Sequence, residues 1–337
     1  MQKTTDSIQN FLEKYYSKQE PIILACSAGP DSMFLLYKIL ETDYKKNLVV
    51  CYFNHKTRPE TEIEEKFLEE LCKKEKIAFE TASCDFEKIK KLYPSKSFEE
   101  LAREKRYQFF NAIMHIYKTD KVLLAHHLDD KIETFFFNLA RWTKLTGLIN
   151  MTEKSWAILR PLLNLEKKDI LSYLDENNLK YFIDETNFSL DYTRNFLRNE
   201  IIPKFYKINS NFKKNINNTL KYFEEIKNFL DLKIKNFLEI EDKKIKITKK
   251  YEKIYEIFKE VDGYLWWFFI EDFNKQENFL QKEIIRYIFY ITNNNSTIWL
   301  SEANIWEIIK FINWKNNKTI KEIKNLKMRK ENEIIIF

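Results

Sequence analysis

The chain has 337 residues, 44% of them hydrophobic, which is enough for two domains and ample for a core. Its Lys and Arg outnumber Asp and Glu by 57 to 51, and in a chain so rich in Lys, Asn, Ile and Phe this net charge of +6 is only weak support for a polyanionic partner. No run approaches the roughly eighteen uninterrupted apolar residues of a membrane span, and Met1 to Asp6 lacks the apolar stretch of a signal peptide, so a cytoplasmic protein with no membrane partner is expected.

The first predicted strand is Ile22 to Cys26, which breaks into the turn Ser27, Ala28, Gly29, Pro30, Asp31, Ser32 and then into a helix with Met33, Leu35, Leu36 and Ile39 on its apolar side. Gly29 is one of only three glycines. At such a turn the backbone must either take a positive φ or let a ligand come close. Pro30, with no N–H and a fixed φ, suits the first turn of a helix, and the hydroxyls of Ser27 and Ser32 can bond phosphate oxygens. The plainer reading is an ordinary strand-to-helix connection capped by Ser32.

A second strand is expected from Asn47 to Phe53, a weaker third from Ala78 to Ala82, and a fourth from Val122 to Ala125, with helices at Ile63 to Lys74 and Phe98 to Tyr117 between them. Continuous apolar strands alternating with amphipathic helices predict an α/β fold with a parallel sheet covered on both faces. Ligands of such sheets collect at the carboxyl ends of the strands. The segments that follow the three best strands are Ser27 to Ser32, Asn54 to Arg58 and His126 to Asp130, and the last two hold three of the four histidines. After His127, a helix with Ile132, Phe135, Phe136 and Leu139 inward places Asp129 on one face with Glu133, and Asp130 with Thr134. Acids in a first helical turn also complement the helix dipole, which by itself explains Asp129 or Asp130. Beyond about residue 205 a helical stripe runs from Phe212 to Phe237, followed by a helix from Glu302 to Phe311 behind Ser301, and a strand-like end at Glu333 to Phe337.

The turn at Ser27 to Ser32 is similar to the Ser-Gly-Gly-x-Asp-Ser loop of the PP-loop ATP pyrophosphatases, with Ala28 in place of the first glycine, and the alanine methyl is expected to crowd a bound phosphate. His126, His127, Asp129, Asp130, Glu133 and Thr134 narrow the resemblance to the tRNA(Ile)-lysidine synthase family. Phe53 to Arg58, Glu99 to Tyr107, Arg160 to Leu163, Asp184 to Asn187, Tyr192 to Asn195 with Arg198, and Ile201 to Pro203 follow the same template. The likeness covers residues 20 to 205. Asn54, Lys56 and Thr57 stand where the family often has Asp, Gly and Leu, and Arg141 to Met151 keeps only Gly147 of a glycine-rich segment.

The resemblance implies an adenine-nucleotide α-hydrolase-like (PP-loop) catalytic domain over residues 1–205. A mostly helical tRNA-binding domain with a small α+β end is expected over 206–337. It implies ATP and Mg²⁺ as cofactors, and as partners free L-lysine and the isoleucine tRNA with a CAU anticodon, with a homodimer among the admissible assemblies. Catalytic residues would be Asp31, His127, Asp129, Asp130 and Glu133. The nucleotide would meet Ser27, Ala28, Gly29, Pro30, Asp31, Ser32, His55 and Arg106. Arg58, Arg103, Asp130, Glu133, Arg194 and Arg198 would contact substrate, and Asp31, Asp129 and Asp130 the metal. A solvated helix face is an equal reading of each arginine.

Two other functions compete. PP-loop enzymes that thiolate tRNA bases bring paired cysteines, whereas Cys26, Cys51, Cys72 and Cys84 form no Cys-x-x-Cys pair. A non-catalytic RNA-binding protein with a degenerate nucleotide pocket would account for Ala28 and the altered loop at Trp142, but the intact Asp31, Ser32, Asp129, Asp130 and Glu133 count against it. The basic run of Lys315, Lys318, Lys321, Lys324, Lys327, Arg329 and Lys330 suits a folded RNA, with genome-driven lysine usage as the rival explanation.

Overall fold

The computed structural model describes residues 2–56, 60–84, 86–141, 143–149, 151–183, 193–238, 267–293, 300–316 and 319–337. Arg58, the segment 184–192 and Lys318 lie outside the described residues, as do the side chains of Glu99 and Arg194. The chain forms two compact units, residues 1–223 and 224–337.

The first unit opens with α1 (Gln2–Tyr15), β1 (Ile22–Ala25), α2 (Pro30–Leu40), β2 (Leu48–Asn54), α3 (Glu60–Glu75) and β3 (Ala78–Ser83). Next come α4 (Phe86–Leu92), α5 (Phe98–Ile116), β4 (Val122–Leu123), α6 (Leu128–Ala140), α7 (Leu145–Leu148), β5 (Lys154–Ser155) and β6 (Ile158–Leu159). Three helices, α8 (Lys167–Glu176), α9 (Thr193–Phe196) and α10 (Ile202–Ile208), lead into the 26-residue α11 (Phe212–Phe237), with a π-helical stretch, Leu197–Ile201, between α9 and α10. The sheet order is β3-β2-β1-β4-β6-β5, parallel except for the edge strand β5.

Alternation along the central strands divides the core. Ile22, Leu24, Val50 and Tyr52 face one side with Leu12, Met33, Leu36 and Leu174, while Ile23, Val49 and Cys51 face the other with Phe110 and Ile113 of α5. Burying such a side chain completely contributes about 1.5–3 kcal/mol, so the unbroken apolar runs that marked these strands in the sequence also hold them in place. A capping box at Ser97 and Glu100 starts α5, where Ser97 Oγ accepts from the Glu100 backbone N–H and Glu100 accepts from that of Ser97. None of the four cysteines is in a disulfide, and Cys26, Cys51 and Cys72 are buried.

In the second unit, β7 (Trp267–Phe269), α12 (Ile270–Asn274), α13 (Asn278–Thr292), α14 (Glu302–Ile312), β8 (Thr319–Ile323), β9 (Leu326–Glu331) and β10 (Ile334–Ile336) follow in order. The sheet is antiparallel, β7-β10-β9-β8, and packs Met328 and Ile335 with Ile284, Ile288, Ile308 and Ile312 of the helices. Ser301 caps α14 as its sequence position predicted. The basic run is less available than its composition suggests. Lys330 is only 5% exposed and donates to the carbonyls of Ile312 and Trp314 at the end of α14, where a cation complements the helix dipole. Arg329 pairs with Glu331 at 2.6 Å and Lys321 with Glu307 at 2.7 Å, while Lys315, Lys324 and Lys327 remain exposed.

Candidate active site

The order of the sheet reverses at β1, with β2 on one side and β4 on the other, and a crevice opens at the carboxyl ends of strands at such a point. The turn after β1 begins with Ser27, which is exposed, and then Ala28, which is fully buried at φ 58°. Gly29 itself is extended, at φ −73° and ψ 163°, so the left-handed position falls on the alanine and not on the glycine. The Ala28 methyl joins the core with Cys26 and Met33, which corrects the expectation that it crowds a phosphate. Pro30 opens α2 as predicted, with Gly29 at the cap, so Ser32 is not the cap. The Ser32 hydroxyl is buried, donates to Gly29 O at 3.0 Å and accepts from the Ser27 backbone N–H at 3.1 Å. It braces the turn from inside and lies 3.3 Å from the Ser27 hydroxyl, within hydrogen-bond reach.

The turn after β2 repeats the pattern. Lys56, where the family often has glycine, sits at φ 49°, and its N–H donates to the side chain of buried Asn54 at 2.8 Å. Both replacements keep a backbone that favours glycine, at a cost of about 1–2 kcal/mol per residue. Lys56→Gly should therefore raise stability by about 1 kcal/mol, whereas Ala28→Gly should change it by less, because the relief is offset by about 0.8 kcal/mol of lost methyl burial. Chemical denaturation of the two variants checks this pair.

The start of α6 gathers the acids. His127, 3% exposed, lies at their centre: its Nε2 is 3.5 Å from Asp31 Oδ1 and 3.5 Å from Asp130 Oδ2, and its Nδ1 is 3.7 Å from Asp129 Oδ2. The His127 backbone N–H donates to Asp130 Oδ2 at 3.0 Å. Each acid also meets a cation. Lys167 Nζ is 2.6 Å from Asp31 Oδ1, and Lys213 Nζ is 2.5 Å from Asp129 Oδ1 and 3.4 Å from Glu166 Oε2. Arg198 forks onto Glu133 at 2.5 and 2.9 Å and lies 3.5 Å from Asp130. Burial pushes the Glu133 carboxyl above its ordinary value, against the pull of Arg198. Asp129 is held below its ordinary value, since Lys213 and the Lys167 N–H outweigh its burial.

A second cluster is imidazole and guanidinium. Arg160, 8% exposed, donates from Nε to His126 Nδ1 at 3.3 Å, so the His126 proton sits on Nε2. Burial lowers His126 to about 4, although the Asp130 charge opposes it, and lowers His55 to about 4 with help from the Arg106 charge. His55 rests against Phe53 and Phe86, at centroid distances of 5.0 and 5.5 Å. The Arg106 charge reaches both histidines, and that of Arg103, exposed and 5.1 Å above the Tyr107 ring, reaches Arg160. His126 is thus a neutral donor throughout the working range, and His126→Gln should leave the shape of a rate profile between pH 5.5 and 8.5 unchanged. A displaced acid limb in that variant would show that His126 titrates there.

Lys167 and Lys213 are the site residues that sequence reasoning missed, and Arg160, matched within a family segment, was given no role there. A weak signal existed for the lysines: each stands in the first turn of its helix, where the dipole disfavours a cation, although Lys168 and Lys214 share those turns without a long-range acid among the described residues. The acids invite comparison with a magnesium site. Among the described residues no group of three or more His, Cys, Asp or Glu side chains has the geometry to hold a metal ion by itself. Magnesium usually takes one or two carboxylates and completes its shell with phosphate oxygens and water, and Asp31 and Asp130, each 3.5 Å from His127 Nε2, fit that smaller role. Cys26 and Cys72 do not suit sulfur transfer, since burial raises them to about 11 and about 12 and keeps both thiols protonated.

Residues 1–205 match the family model of the PP-loop domain, a type that implies ATP binding. A tRNA(Ile)-lysidine synthase from Mycoplasma mycoides subsp. mycoides SC is 30% identical over 303 residues, covering 88% of this chain and 73% of that protein. The chain belongs to the tRNA(Ile)-lysidine synthase family. A second lysidine synthase, from Thermotoga maritima, is 31% identical over 222 residues, 65% of this chain. The chain spans about half the length of curated relatives such as this one, 53% in its case. Among solved structures, the U34-tRNA thiolase NcsA from Methanococcus maripaludis superposes with a TM-score of 0.54 at 18% identity, over 67% of this chain and 78% of that one, a likeness of fold. The acid and histidine cluster of this lysidine synthase family member lies within the stretch that the PP-loop model covers, except for Lys213. Among the described residues no helix is long and apolar enough to cross a membrane.

Proposed function

We propose that this chain joins free L-lysine to the wobble cytidine of the CAU-anticodon isoleucine tRNA, in two steps driven by ATP. The base O2 attacks the α-phosphorus, an O2–P bond forms, and the α–β bond breaks so that its electron pair leaves with pyrophosphate. The lysine ε-amine then attacks C2, AMP leaves with the oxygen, and one proton is released. Joining the ring oxygen to AMP turns a very poor leaving group into a good one.

The observation that carries this reading is the meeting of Asp31 from the β1 turn with His127, Asp129 and Asp130 at the start of α6, all within 3.7 Å of the His127 ring nitrogens. Ser27, exposed at the start of the turn, and the turn's backbone N–H groups would meet the phosphates. His55, neutral and set among phenylalanine rings, suits the adenine, with Arg106 nearby. Asp31 with Asp129 or Asp130 would hold Mg²⁺, which supplies positive charge to the triphosphate oxygens when bound.

An amine of pKa ~10.4 must lose a proton before it attacks. Asp130 and Glu133 recognise the ammonium, and His127, whose buried Nδ1 has no hydrogen-bond partner, receives the proton. His126 is the weaker base, since its Nδ1 already accepts from Arg160. Arg198, with 41% of its side chain exposed, presents its outer edge to anionic parts of the substrate. Exposed Lys315, Lys324 and Lys327 contribute phosphate contacts to the tRNA. A homodimer belongs to the same reading and is checked by light scattering.

The test is incubation with labelled lysine, ATP and CAU-anticodon tRNA, omitting each in turn. Label should enter tRNA only when all three are present. Pyrophosphate release that ignores both tRNA and lysine would point to another acceptor.

A further inference from the structure

We propose that Lys167 is a catalytic residue of the adenylation step: its ammonium rests on Asp31 before nucleotide binds and then moves to the oxygens of the departing pyrophosphate. This rests on the reading above and extends it to a residue that the sequence motifs did not single out.

Lys167 is tied to the two turns that flank the reversal point of the sheet. Its backbone N–H donates to Asp129 Oδ2 at 2.9 Å, and its Nζ meets Asp31 Oδ1 at 2.6 Å across 136 positions of sequence. It opens α8, a helix of ten residues, so a full positive charge stands where the helix dipole is already positive. That placement is unfavourable without anions close by, and it makes the spot attractive to a phosphate. The cation is also reachable: 31% of its side chain is exposed, and 28% of that of Asp31, whereas Lys330 is sealed beneath α14.

The other cations at these acids are less free to move. Lys213 bridges two carboxylates, Asp129 and Glu166, and Arg198 is forked onto Glu133. Lys167 Nζ, among the described residues, has Asp31 as its one carboxylate within 4.0 Å. A lysine stem can carry its ammonium a few ångströms by changing rotamers. As the α–β bond breaks, negative charge grows on the leaving phosphate, and a cation that follows it stabilises that charge more than the ground state.

Lys167→Met preserves stem length and removes the charge. Single-turnover pyrophosphate release from ATP and tRNA should slow about 100-fold or more, in line with loss of one preorganised electrostatic contact. Inhibition by added pyrophosphate should weaken about tenfold, the melting temperature should stay close to that of the parent, and Lys167→Arg should recover most of the rate. Unchanged release and unchanged pyrophosphate inhibition in Lys167→Met would overturn the proposal and leave Lys167 as a structural partner of Asp31.

A measurement on the unaltered chain guards against a variant that fails to fold. Saturating pyrophosphate should protect Lys167 from acetic anhydride, read by mass spectrometry, while exposed Lys324 and Lys327 react as before. Equal acetylation of Lys167 with and without pyrophosphate would overturn the proposal as well. Because this protection needs neither tRNA nor lysine, it is readable even if the acceptor proves to be something other than cytidine.

Discussion

Arg198→Ala should lower stability by about 2 kcal/mol at pH 8 and abolish transfer of lysine to tRNA. Glu133 is only 4% exposed, and Arg198 supplies both of its close charge-assisted bonds, at 2.5 and 2.9 Å. Truncating one member of a fully buried pair costs about 3–5 kcal/mol through the charge left behind, and the lower figure here reflects the solvent that still reaches Arg198. The pH dependence has a definite sign. Burial already holds the folded-state value of Glu133 above that of an unfolded glutamate, and loss of the arginine raises it further. Such an acid binds more protons when folded, so stability present below the unfolded value is lost as pH rises through the folded one. The variant should therefore lie nearest its parent in mildly acidic buffer and fall away toward pH 8. A denaturation series across pH that showed a constant gap would contradict this account of Glu133.

Asp129→Ala should be the other severe change, costing about 2–3 kcal/mol together with activity. This one carboxylate accepts from the Lys167 backbone N–H and from Lys213 Nζ, and so fastens the starts of α8 and α11 to α6. Its removal strands an ammonium that is only 17% exposed, with Glu166 at 3.4 Å as its remaining acid. Lys213→Met should cost less, because Asp129 keeps the Lys167 N–H, and the double variant should be more stable than Asp129→Ala alone. Asp129 lies below its ordinary value when folded, so its contribution is present above the unfolded value and fades as pH falls through the folded one. The acid limb of unfolding should flatten in the variant. Additive effects in the double-mutant cycle would mean that Asp129 and Lys213 are not coupled.

Much of the fold was legible because its central strands are buried on both faces and read as unbroken apolar runs, Ile22 to Ala25 and Leu48 to Tyr52 above all. The pairs Lys154–Ser155 and Ile158–Leu159 escaped notice, since two residues carry no periodicity. Acids were easy to find at the site because α6 delivers them within five positions of one another. Their lysine partners were not, because each pairing joins residues far apart in sequence, 136 positions in the case of Asp31 and Lys167, whereas Arg198 stood out only through the family resemblance. The handedness of the backbone at Ala28 was equally invisible: a methyl next to a phosphate loop looks obstructive until its φ of 58° turns it into the core.

Asp31, Asp129, Asp130 and Glu133 all precede Lys167, Arg198 and Lys213 in the chain. A ribosome therefore makes those four carboxylates before any of these counterions. A nascent chain that has emerged only as far as α6 carries Asp31, Asp129, Asp130 and Glu133 without the lysines and the arginine that pair with them in the finished fold. The paired arrangement arrives last, with the segments that bring Lys167, Arg198 and Lys213.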